Sequence, residues 1–370
     1  MKKIIIFNAS SFVYGAERGL LNLLKALNGE FDIIVVLPNN GPIEEKIKNI
    51  SDHINIKIFP LPVLINTLSF FYWTKFLILS IVNLAYFSWY VIKNKVDIVY
   101  TNSSLLLSPS IIAKITRKIH FWHVREFFIS KLLNFWIGTF IRIFSDTVIC
   151  QSNTIRERLF LIKRTKVIYE PLDLNDYKIY NHKTIKKEFN IPEESIVIMI
   201  ISRIHPLKGQ YEFIEGMKDI MKENKRLFIL IAGDITPLTL KNRLYKNKIY
   251  QLIKDNCLKN VKLLGFRHDI SKFLSMTDIC VFPFLRDEPF GIAVTEALAF
   301  GKISFYPMEG GLKEVYEMYK EGKNYDIIKI IEEINSYRIK PVNELEKGIV
   351  IPKILSFSEY KKNISLIFQK

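Results

Sequence analysis

The stretch DICVFPFLRDEPFGIAVTEALAFG, residues 278–301, carries the clearest indication of the fold. Its first part, residues 278–284, is a short apolar run that is typical of a buried strand. A polar loop follows, and a helical pattern then begins near Gly291. A strand that leads through a loop into a helix is the repeating unit of a parallel α/β sheet, which binds ligands at the carboxyl ends of its strands.

The same alternation extends outward through the rest of the chain. Runs without a polar face indicate sheets that are covered by helices on both sides. We therefore expect an α/β fold with two doubly wound parallel-sheet domains that face each other across a cleft. The predicted strands are 3–8, 31–38, 54–60, 96–103, 118–124 and 146–152 in the first half, and 195–202, 226–233, 261–265, 278–284 and 302–306 in the second.

A length of 370 residues also predicts two domains. We place the first at 1–172 and the second at 173–355, with a polar, aperiodic stretch at 174–194. Residues 356–370 form a final segment, in which 356–369 read as an amphipathic helix.

Composition narrows the function classes. The chain is 49% apolar, which excludes a disordered protein, and its three separated cysteines exclude a disulfide scaffold and a cysteine zinc site. They suit a reducing cytoplasm, and we expect no secretory signal. The net charge is +16, with 21 basic and 11 acidic residues in 1–172. Such a charge attracts nucleic acid, anionic lipid or nucleotide phosphate, although a lysine-rich composition bias explains it equally well.

Residues 61–92 contain one charged side chain, Lys75. The leading interpretation is a buried crossover helix between the third and fourth strands. Docking at a membrane interface and a true membrane span are the two alternatives. A second apolar, aromatic helix is expected at 127–144.

Two carboxylates mark the loop and helix of the opening stretch. Glu288 lies just before the helix and Glu296 lies within it, so the pair can hold two parts of one polyhydroxylated ligand. The amides near Gly291 can receive a phosphate. The alternative is that Glu288 only caps the helix and that Glu296 is solvated.

Two cations follow the strand at 195–202. Arg203 and Lys208 lie on a loop at its carboxyl end, where they can neutralise a diphosphate. A solvated loop is the alternative. The sequence GxxxxGK[ST] is absent, so this is not a Walker loop.

Two further loops follow strands of the first half. Residues 8–19 lead into a helix without the GxGxxG pattern, so a nicotinamide site is unsupported. In residues 122–127, His123 is a candidate general base or hydrogen-bond donor, although a structural role is also open. Arg125 and Glu126 have the alternative of pairing with each other. The chain contains no DxD, HExxH or GxSxG motif.

In this order, the motifs resemble those of the retaining glycosyltransferases of family 4, which have the GT-B fold of two Rossmann-like domains. The resemblance covers nearly the whole chain, and its most specific part is the E-x7-E pattern formed by Glu288 and Glu296. The other matching segments are 14–23, 124–127, 202–209, 264–267 and 278–283.

The resemblance implies catalytic roles at matching positions. Arg203 and Lys208 would hold the donor diphosphate and stabilise its departure. Glu296 would bind the nucleotide ribose, Glu288 would contact the donor sugar, and His123 would lie near the transferred sugar. No metal or other cofactor is expected, which agrees with the missing DxD.

It also implies binding roles. Gly15, Gly265, Phe266, Phe290 and Gly291 would contribute to the donor site, and the final helix would cross back onto the first domain. A weaker expectation assigns acceptor binding to Tyr14, Glu17, Arg18, Arg125 and Glu126.

The function expected is therefore transfer of a sugar from a nucleotide sugar to a glycan or lipid-linked acceptor, in bacterial surface polysaccharide biosynthesis. We expect a cytoplasmic protein that is peripheral on the inner face of an anionic membrane, with no nucleic-acid partner. Phe284 stands where the family often has serine, and the glycine-rich loop after Val315 is short. A catalytically silent nucleotide-sugar-binding or partner protein is thus one alternative. A nucleotide-sugar epimerase is the other, because the same fold also occurs in such enzymes.

Overall fold

The computed structural model describes residues 1–12, 15–65, 69–161, 165–235, 239–326, 328–330 and 348–368. The chain divides into two compact units. The first comprises Met1–Pro171 with Lys353–Lys370, and the second comprises Leu172–Pro352. Each unit is an α/β domain built on a parallel sheet, as the alternation of strands and helices predicted.

The sheet of the first unit has seven parallel strands within the described residues, in the order β3-β2-β1-β4-β5-β6-β7. Because β1 lies between β2 and β4, the winding of the chain reverses at this point. The strands are β1 (Lys2–Asn8), β2 (Phe31–Leu37), β3 (Asn55–Ile58), β4 (Ile98–Asn102), β5 (Ile119–Val124), β6 (Thr147–Cys150) and β7 (Thr165–Val167).

Helices cover both faces of this sheet. Ile4 and Ile6 of β1 face one layer, whereas Ile5 and Phe7 face the other, because successive side chains of a strand alternate. The first layer contains α1 (Gly15–Leu27), α2 (Ile43–Lys48) and the C-terminal helix Phe357–Phe368; the second contains α3 (Phe70–Lys93), α4 (Ser108–Thr116), α5 (Lys131–Phe144) and α6 (Asn153–Arg158).

The C-terminal helix packs into the core of the first unit beside α1. Tyr360, Ile364 and Phe368 are buried there. The ring of Phe368 lies 4.6 Å from that of Phe121 and 5.2 Å from that of Phe31. The buried stripe of this helix therefore completes the apolar cover of the sheet.

Helix α3 connects β3 to β4, as expected, but the prediction that it is buried is wrong. Its buried residues are Asn83, Phe87 and Val91, a single stripe in its second half. Within the described residues it is the one helix long and apolar enough to cross a membrane. Only 17% of its apolar 18-residue segment is buried. A 24-residue helix is longer than the strands beneath it, so the sheet covers only part of it.

The second unit has six parallel strands within the described residues, in the order β10-β9-β8-β11-β12-β13. The strands are β8 (Ile196–Ile201), β9 (Leu227–Ala232), β10 (Val261–Gly265), β11 (Ile279–Val281), β12 (Ile303–Tyr306) and β13 (Lys323–Asn324). The helices are α7 (His182–Glu188), α8 (Gln210–Glu223), α9 (Leu240–Asp255), α10 (Ile270–Met276), α11 (Ile292–Ala299) and α12 (Gly311–Tyr319).

Helix α7 and strands β7 and β13 were not predicted from the sequence. Helix α7 lies in the stretch 174–194, where the pattern predicted no regular structure. It is seven residues long, so it shows less than two turns of periodicity. Strands β7 and β13 contain three and two residues, which is too short for a strand pattern.

Candidate active-site residues

The two predicted donor-binding loops of the second unit emerge from neighbouring strands. β8 and β11 are paired, and the winding of this sheet reverses between them. Ligands of doubly wound sheets bind outside the carboxyl ends of the strands at such a reversal. Arg203 and Lys208 lie on the loop after β8, and Phe284 and Glu288 lie on the loop after β11.

These loops are held close together by their backbones. The amide of Leu285 donates a hydrogen bond to the carbonyl of Leu207, at 3.1 Å. Gly209 has a φ of 69°, and a Cβ at this position would lie 1.9 Å from the carbonyl oxygen of Pro283. A side chain at position 209 would therefore force the loops apart.

Lys208 and Glu288 form an ion pair, with Nζ 2.5 Å from Oε1. The ammonium also lies 4.2 Å from the centroid of the Phe284 ring, within the range of a cation–π contact. Burial lowers the pKa of Lys208, while the charge of Glu288 opposes that shift. The structure thus brings together two of the predicted site residues and gives the unusual Phe284 a contact with one of them.

Glu296 is buried on α11. The hydroxyl of Tyr177 donates to its Oε1 at 2.9 Å, and the Tyr177 ring packs against Phe300 with centroids 5.9 Å apart. The prediction allowed a solvated Glu296, and the structure instead places this carboxylate in the interior. Its orientation is fixed by a residue 119 positions earlier in the chain.

Gly291 precedes α11 with a φ of 97°, a conformation that favours glycine. The Phe290 side chain is buried, so only its backbone is available to a ligand. The first amides of a helix lack intrahelical partners, and they provide donors for a phosphate. The backbone at 290–292 can therefore offer donors to a phosphate, and its role in the donor site stays a prediction.

The other predicted donor residues lie along the same edge of the sheet. Arg203 is exposed. Gly265 ends β10 with a φ of 68°, and the half-exposed Phe266 ring lies 4.7 Å from that of His268. Because β9 separates β10 from β8, Gly265 and Phe266 lie to one side of the Lys208 loop.

A buried polar network lies at the carboxyl ends of β1, β4 and β5 in the first unit. The guanidinium of Arg125 pairs with Glu170, and both side chains are 1% exposed. Its Nε donates to Asn102 Oδ1 at 2.8 Å, and Asn102 Nδ2 donates to Asn8 Oδ1 at 2.7 Å. Asn22 Nδ2 donates to Glu170 at 2.8 Å. Burial lowers the pKa of Arg125, but Glu170 and two nearby tyrosine hydroxyls together more than offset this effect, so the pKa is raised.

His123 belongs to this network. Its Nδ1 lies 2.7 Å from the Tyr100 hydroxyl and 3.2 Å from Arg125 Nη2. A guanidinium can only donate, so Nδ1 is an acceptor and the ring proton is on Nε2. Burial, together with the charge of Arg125, lowers the pKa of His123 well below its usual value. Among the described residues Nε2 has no hydrogen-bond partner. Of the two expected roles, hydrogen-bond donor therefore fits the geometry and general base does not.

The buried histidines of β5 predict a pH-dependent stability. Burial lowers the pKa of His120 to about 3, and that of His123 also lies far below 6.5. Between these values and about pH 6.5 the unfolded chain binds protons that the folded chain does not, so stability is lost as the pH falls. Each such histidine contributes about 1.4 kcal/mol per pH unit. Urea denaturation between about pH 5 and 7 measures this slope.

The matched variant for this prediction is His120→Gln, because His120 lies outside the proposed site. This variant has one titrating histidine fewer, so the free energy of unfolding should change less steeply with pH, by about 1.4 kcal/mol per pH unit. If the pH dependence of the free energy of unfolding were unchanged in this variant, the lowered pKa of His120 would be contradicted.

Arg125 and Glu126 do not pair with each other, which corrects that alternative. Arg125 is directed inward, and Glu126 accepts hydrogen bonds from the Ser103 hydroxyl at 3.1 Å and from the Ser104 amide at 3.0 Å. Glu126 thus orders the loop after β4. Because Arg125 is buried, we do not propose that it contacts an acceptor directly.

The start of α1 carries Glu17 and Arg18, which were expected to bind the acceptor, and Gly15, which was expected to contribute to the donor site. Gly15 is exposed, Arg18 is half-buried and Glu17 is buried. Tyr14 lies outside the described residues. Exposure therefore favours Gly15 and Arg18 over Glu17 for contact with a substrate.

Sequence reasoning missed several residues that shape these sites. Tyr177 and Glu170 lie in stretches without a motif, and Phe284 was noticed only as a departure from the family. Asn8 and Asn102 carried a usable signal, because each is a polar residue that ends an apolar strand. Among the described residues, no group of three or more His, Cys, Asp or Glu side chains could hold a metal ion.

Comparison with known proteins gives a consistent result. Residues 181–343 match the family described as glycosyl transferases group 1, and residues 13–176 match the one described as Glycosyltransferase Family 4. The chain is 26% identical over 308 residues to the UDP-Gal:alpha-D-GlcNAc-diphosphoundecaprenol alpha-1,3-galactosyltransferase of Escherichia coli, covering 78% of this chain and 74% of that protein.

One further relative and one solved structure extend the comparison. The chain is 26% identical over 160 residues to the Escherichia coli O-antigen biosynthesis glycosyltransferase WclY, which covers 43% of this chain and 42% of that protein. In structure it is similar to Anabaena Alr3699/HepE, solved in complex with UDP and glucose. The TM-score is 0.79 at 20% identity, and all of both chains is covered.

Proposed function

Since the chain belongs to the group 1 and family 4 glycosyltransferases, we propose that it transfers a sugar from a nucleotide-sugar donor to a glycan or lipid-linked acceptor. The transfer retains the anomeric configuration and requires no metal. The observation that carries the proposal is the cluster of Arg203, Lys208 and Glu288 where the winding of the second sheet reverses.

The mechanism follows from the charge that develops during the reaction. Cleavage of the anomeric bond leaves a negative diphosphate and a sugar with oxocarbenium character. Arg203, Lys208 and the first amides of α11 stabilise the diphosphate, and these interactions strengthen as its charge grows. In the structure the ammonium of Lys208 is paired with the carboxylate of Glu288. A bound diphosphate would therefore share this cation with Glu288. Glu296, held by Tyr177, would bind the ribose.

We assign His123 the role of a hydrogen-bond donor. Its protonated Nε2 offers one hydrogen bond, and its lowered pKa keeps the ring neutral. A neutral donor can bind a sugar hydroxyl without taking up a proton. We therefore assign proton removal from the acceptor to a group other than His123.

The donor nucleotide we propose is UDP. The Anabaena protein was solved with UDP, and the Escherichia coli galactosyltransferase takes its name from a UDP sugar. That enzyme is named for an undecaprenol-linked acceptor, and WclY for O-antigen biosynthesis. We therefore propose that the acceptor is a lipid-linked intermediate of a surface polysaccharide. The protein would reach this acceptor from the cytoplasmic side of the membrane.

A thermal-shift screen tests the donor proposal. A ligand that binds only the folded state raises the melting temperature by mass action, and at 100 times its Kd it contributes about 2.7 kcal/mol. We expect UDP and UDP sugars to raise the melting temperature in the presence of EDTA, with little effect from other nucleotides. No stabilisation by any nucleotide diphosphate would contradict the proposed donor site.

Product analysis separates the alternatives. The protein is incubated with the stabilising UDP sugar, with and without lipid-linked acceptors, and the products are followed by NMR. Conversion of the donor alone to another sugar nucleotide would indicate an epimerase. Binding without any turnover would indicate a silent binding protein.

A further inference from the structure

Helices α3, α4 and α5 cover the same face of the first sheet, and none of the three contains an acidic residue. Together they carry five basic residues: Lys75, Lys93, Lys114, Lys131 and Arg142. The opposite layer is mixed, because Glu17, Glu44, Glu45 and Glu359 accompany its basic residues. The fourth helix of this layer, α6, adds Arg156, Glu157 and Arg158, so the helices of this face contain a single acidic residue. A lysine-rich composition alone would not give one face of a domain so strong an excess of cations.

The same face exposes large apolar side chains. No residue of α3 from Phe70 to Val82 is buried, and Phe71 and Ile81 are 84% and 68% exposed. In α5, the exposed apolar residues of the first half are Leu132, Leu133, Phe135 and Trp136. Within residues 70–82 of α3 alone, the exposed side chains form one continuous apolar stretch, which soluble proteins rarely leave in water unless it binds a partner.

This apolar area lies at the carboxyl edge of the sheet. Asn83 Nδ2 donates to the carbonyl of Pro60, just after β3, at 2.9 Å. The ring of Phe87 lies 4.9 Å from that of Phe7, near the end of β1. Helix α3 is therefore already level with this edge at 83–87, and residues 70–82 extend about 20 Å further. The buried network around His123 lies at the same edge.

We propose that residues 70–82 of α3 and 132–136 of α5, here called the docking face, insert into the interface of an anionic phospholipid bilayer. Interfacial helices combine exposed aromatic and aliphatic residues with lysine and arginine, as this face does. Anionic headgroups complement its charge. A second copy of the chain does not, since pairing two such faces would bring like charges together.

The helix lies in the interface and does not span the bilayer. Asn83, Phe87 and Val91 are buried against the sheet. The chain also returns from α3 directly into β4, which lies beside β1 in the centre of the sheet. Only the first half of α3 is therefore available to lipid, and about 20 Å of helix is too short to cross a hydrocarbon core of about 30 Å.

This inference deepens the proposed function by naming the surface that meets the membrane. A bilayer on the docking face would bring the head of a lipid-linked acceptor to the edge where the His123 network lies. Membrane binding itself requires no turnover, so it can be measured independently of catalysis.

The test is cosedimentation of the full chain with vesicles of phosphatidylglycerol and phosphatidylcholine. We expect binding to mixed vesicles at low salt, weaker binding at high salt, and much weaker binding to pure phosphatidylcholine. Trp73 and Trp136 are exposed on the docking face, so their fluorescence should shift to shorter wavelength on binding.

Ile81→Glu and Trp136→Glu should each weaken vesicle binding by about tenfold or more, since each removes a buried apolar contact with lipid. Leu366→Glu is the matched control, because Leu366 is an exposed apolar residue of the opposite layer, and it should bind as the wild type does. Equal binding by all variants would overturn the proposal. Resistance to alkaline carbonate extraction, or a dimer that Ile81→Glu dissociates, would also overturn it.

UDP-induced thermal stabilisation is recorded for the same variants. Loss of vesicle binding with retained UDP stabilisation supports the docking face. Vesicle binding without any UDP effect would contradict the proposed donor and leave the docking face supported.

Discussion

Replacing Lys208 by alanine should lower kcat for sugar transfer by about 100- to 1,000-fold, the loss that follows removal of one preorganised group opposite a developing negative charge. The ammonium of Lys208 is held between the carboxylate of Glu288 and the ring of Phe284. Because its charge matters most when the diphosphate departs, kcat should fall more than donor affinity.

Two further variants sharpen this test. Lys208→Arg keeps the positive charge but replaces the compact ammonium with a planar guanidinium. It should therefore retain part of the activity that Lys208→Ala loses. Lys218→Ala, on the helix that follows the loop, removes a lysine that pairs locally with Glu215 and should leave kcat unchanged. If Lys208→Ala and Lys218→Ala were equally active, Lys208 would have no role in the reaction.

Replacing Glu170 by alanine should reduce the free energy of unfolding of the first unit by about 3–5 kcal/mol, the typical loss when one partner of a buried ion pair is removed. The variant would leave the guanidinium of Arg125 buried without its carboxylate, and Asn22 would lose its acceptor. Urea denaturation, followed by tryptophan fluorescence, measures the change because all four tryptophans lie in this unit.

The double variant Arg125→Met/Glu170→Met separates two explanations. If the loss arises from an unpaired buried charge, the double variant should be more stable than Glu170→Ala, since apolar residues of similar volume often replace a buried pair without cost. Glu193→Ala, which breaks an exposed pair with Lys183, should change the midpoint little. A double variant as unstable as Glu170→Ala would show that hydrogen bonding in the network, and not charge, causes the loss.

The architecture was largely readable from the sequence because parallel strands are buried on both faces and therefore appear as uninterrupted apolar runs. A helix was predicted to follow the loop after the first strand, and the structure has α1 there, beginning at Gly15. The burial of α3 was not readable. An apolar helix has the same composition whether it is covered by protein or left open, and only the length of the strands beneath it decides how much is covered.

The candidate site was partly readable for a related reason. The loops that carry Lys208 and Glu288 each follow a recognisable strand, so the topology of the sheet brings them together. The partners that fix these groups are remote in sequence. Tyr177 reaches Glu296 across 119 positions, and Glu170 reaches Arg125 across 45. Such pairs depend on tertiary packing, which no local pattern encodes.

The place of the C-terminal helix has a consequence for the order in which the protein is made. The sheet of the first unit is synthesised early, yet Tyr360, Ile364 and Phe368 belong to its core. A ribosome must therefore translate the entire second unit before the nascent first unit can bury Phe31 and Phe121 against that helix. During this interval the second unit can fold cotranslationally, while the core of the first unit stays incomplete and leaves the apolar surface around Phe31 and Phe121 uncovered.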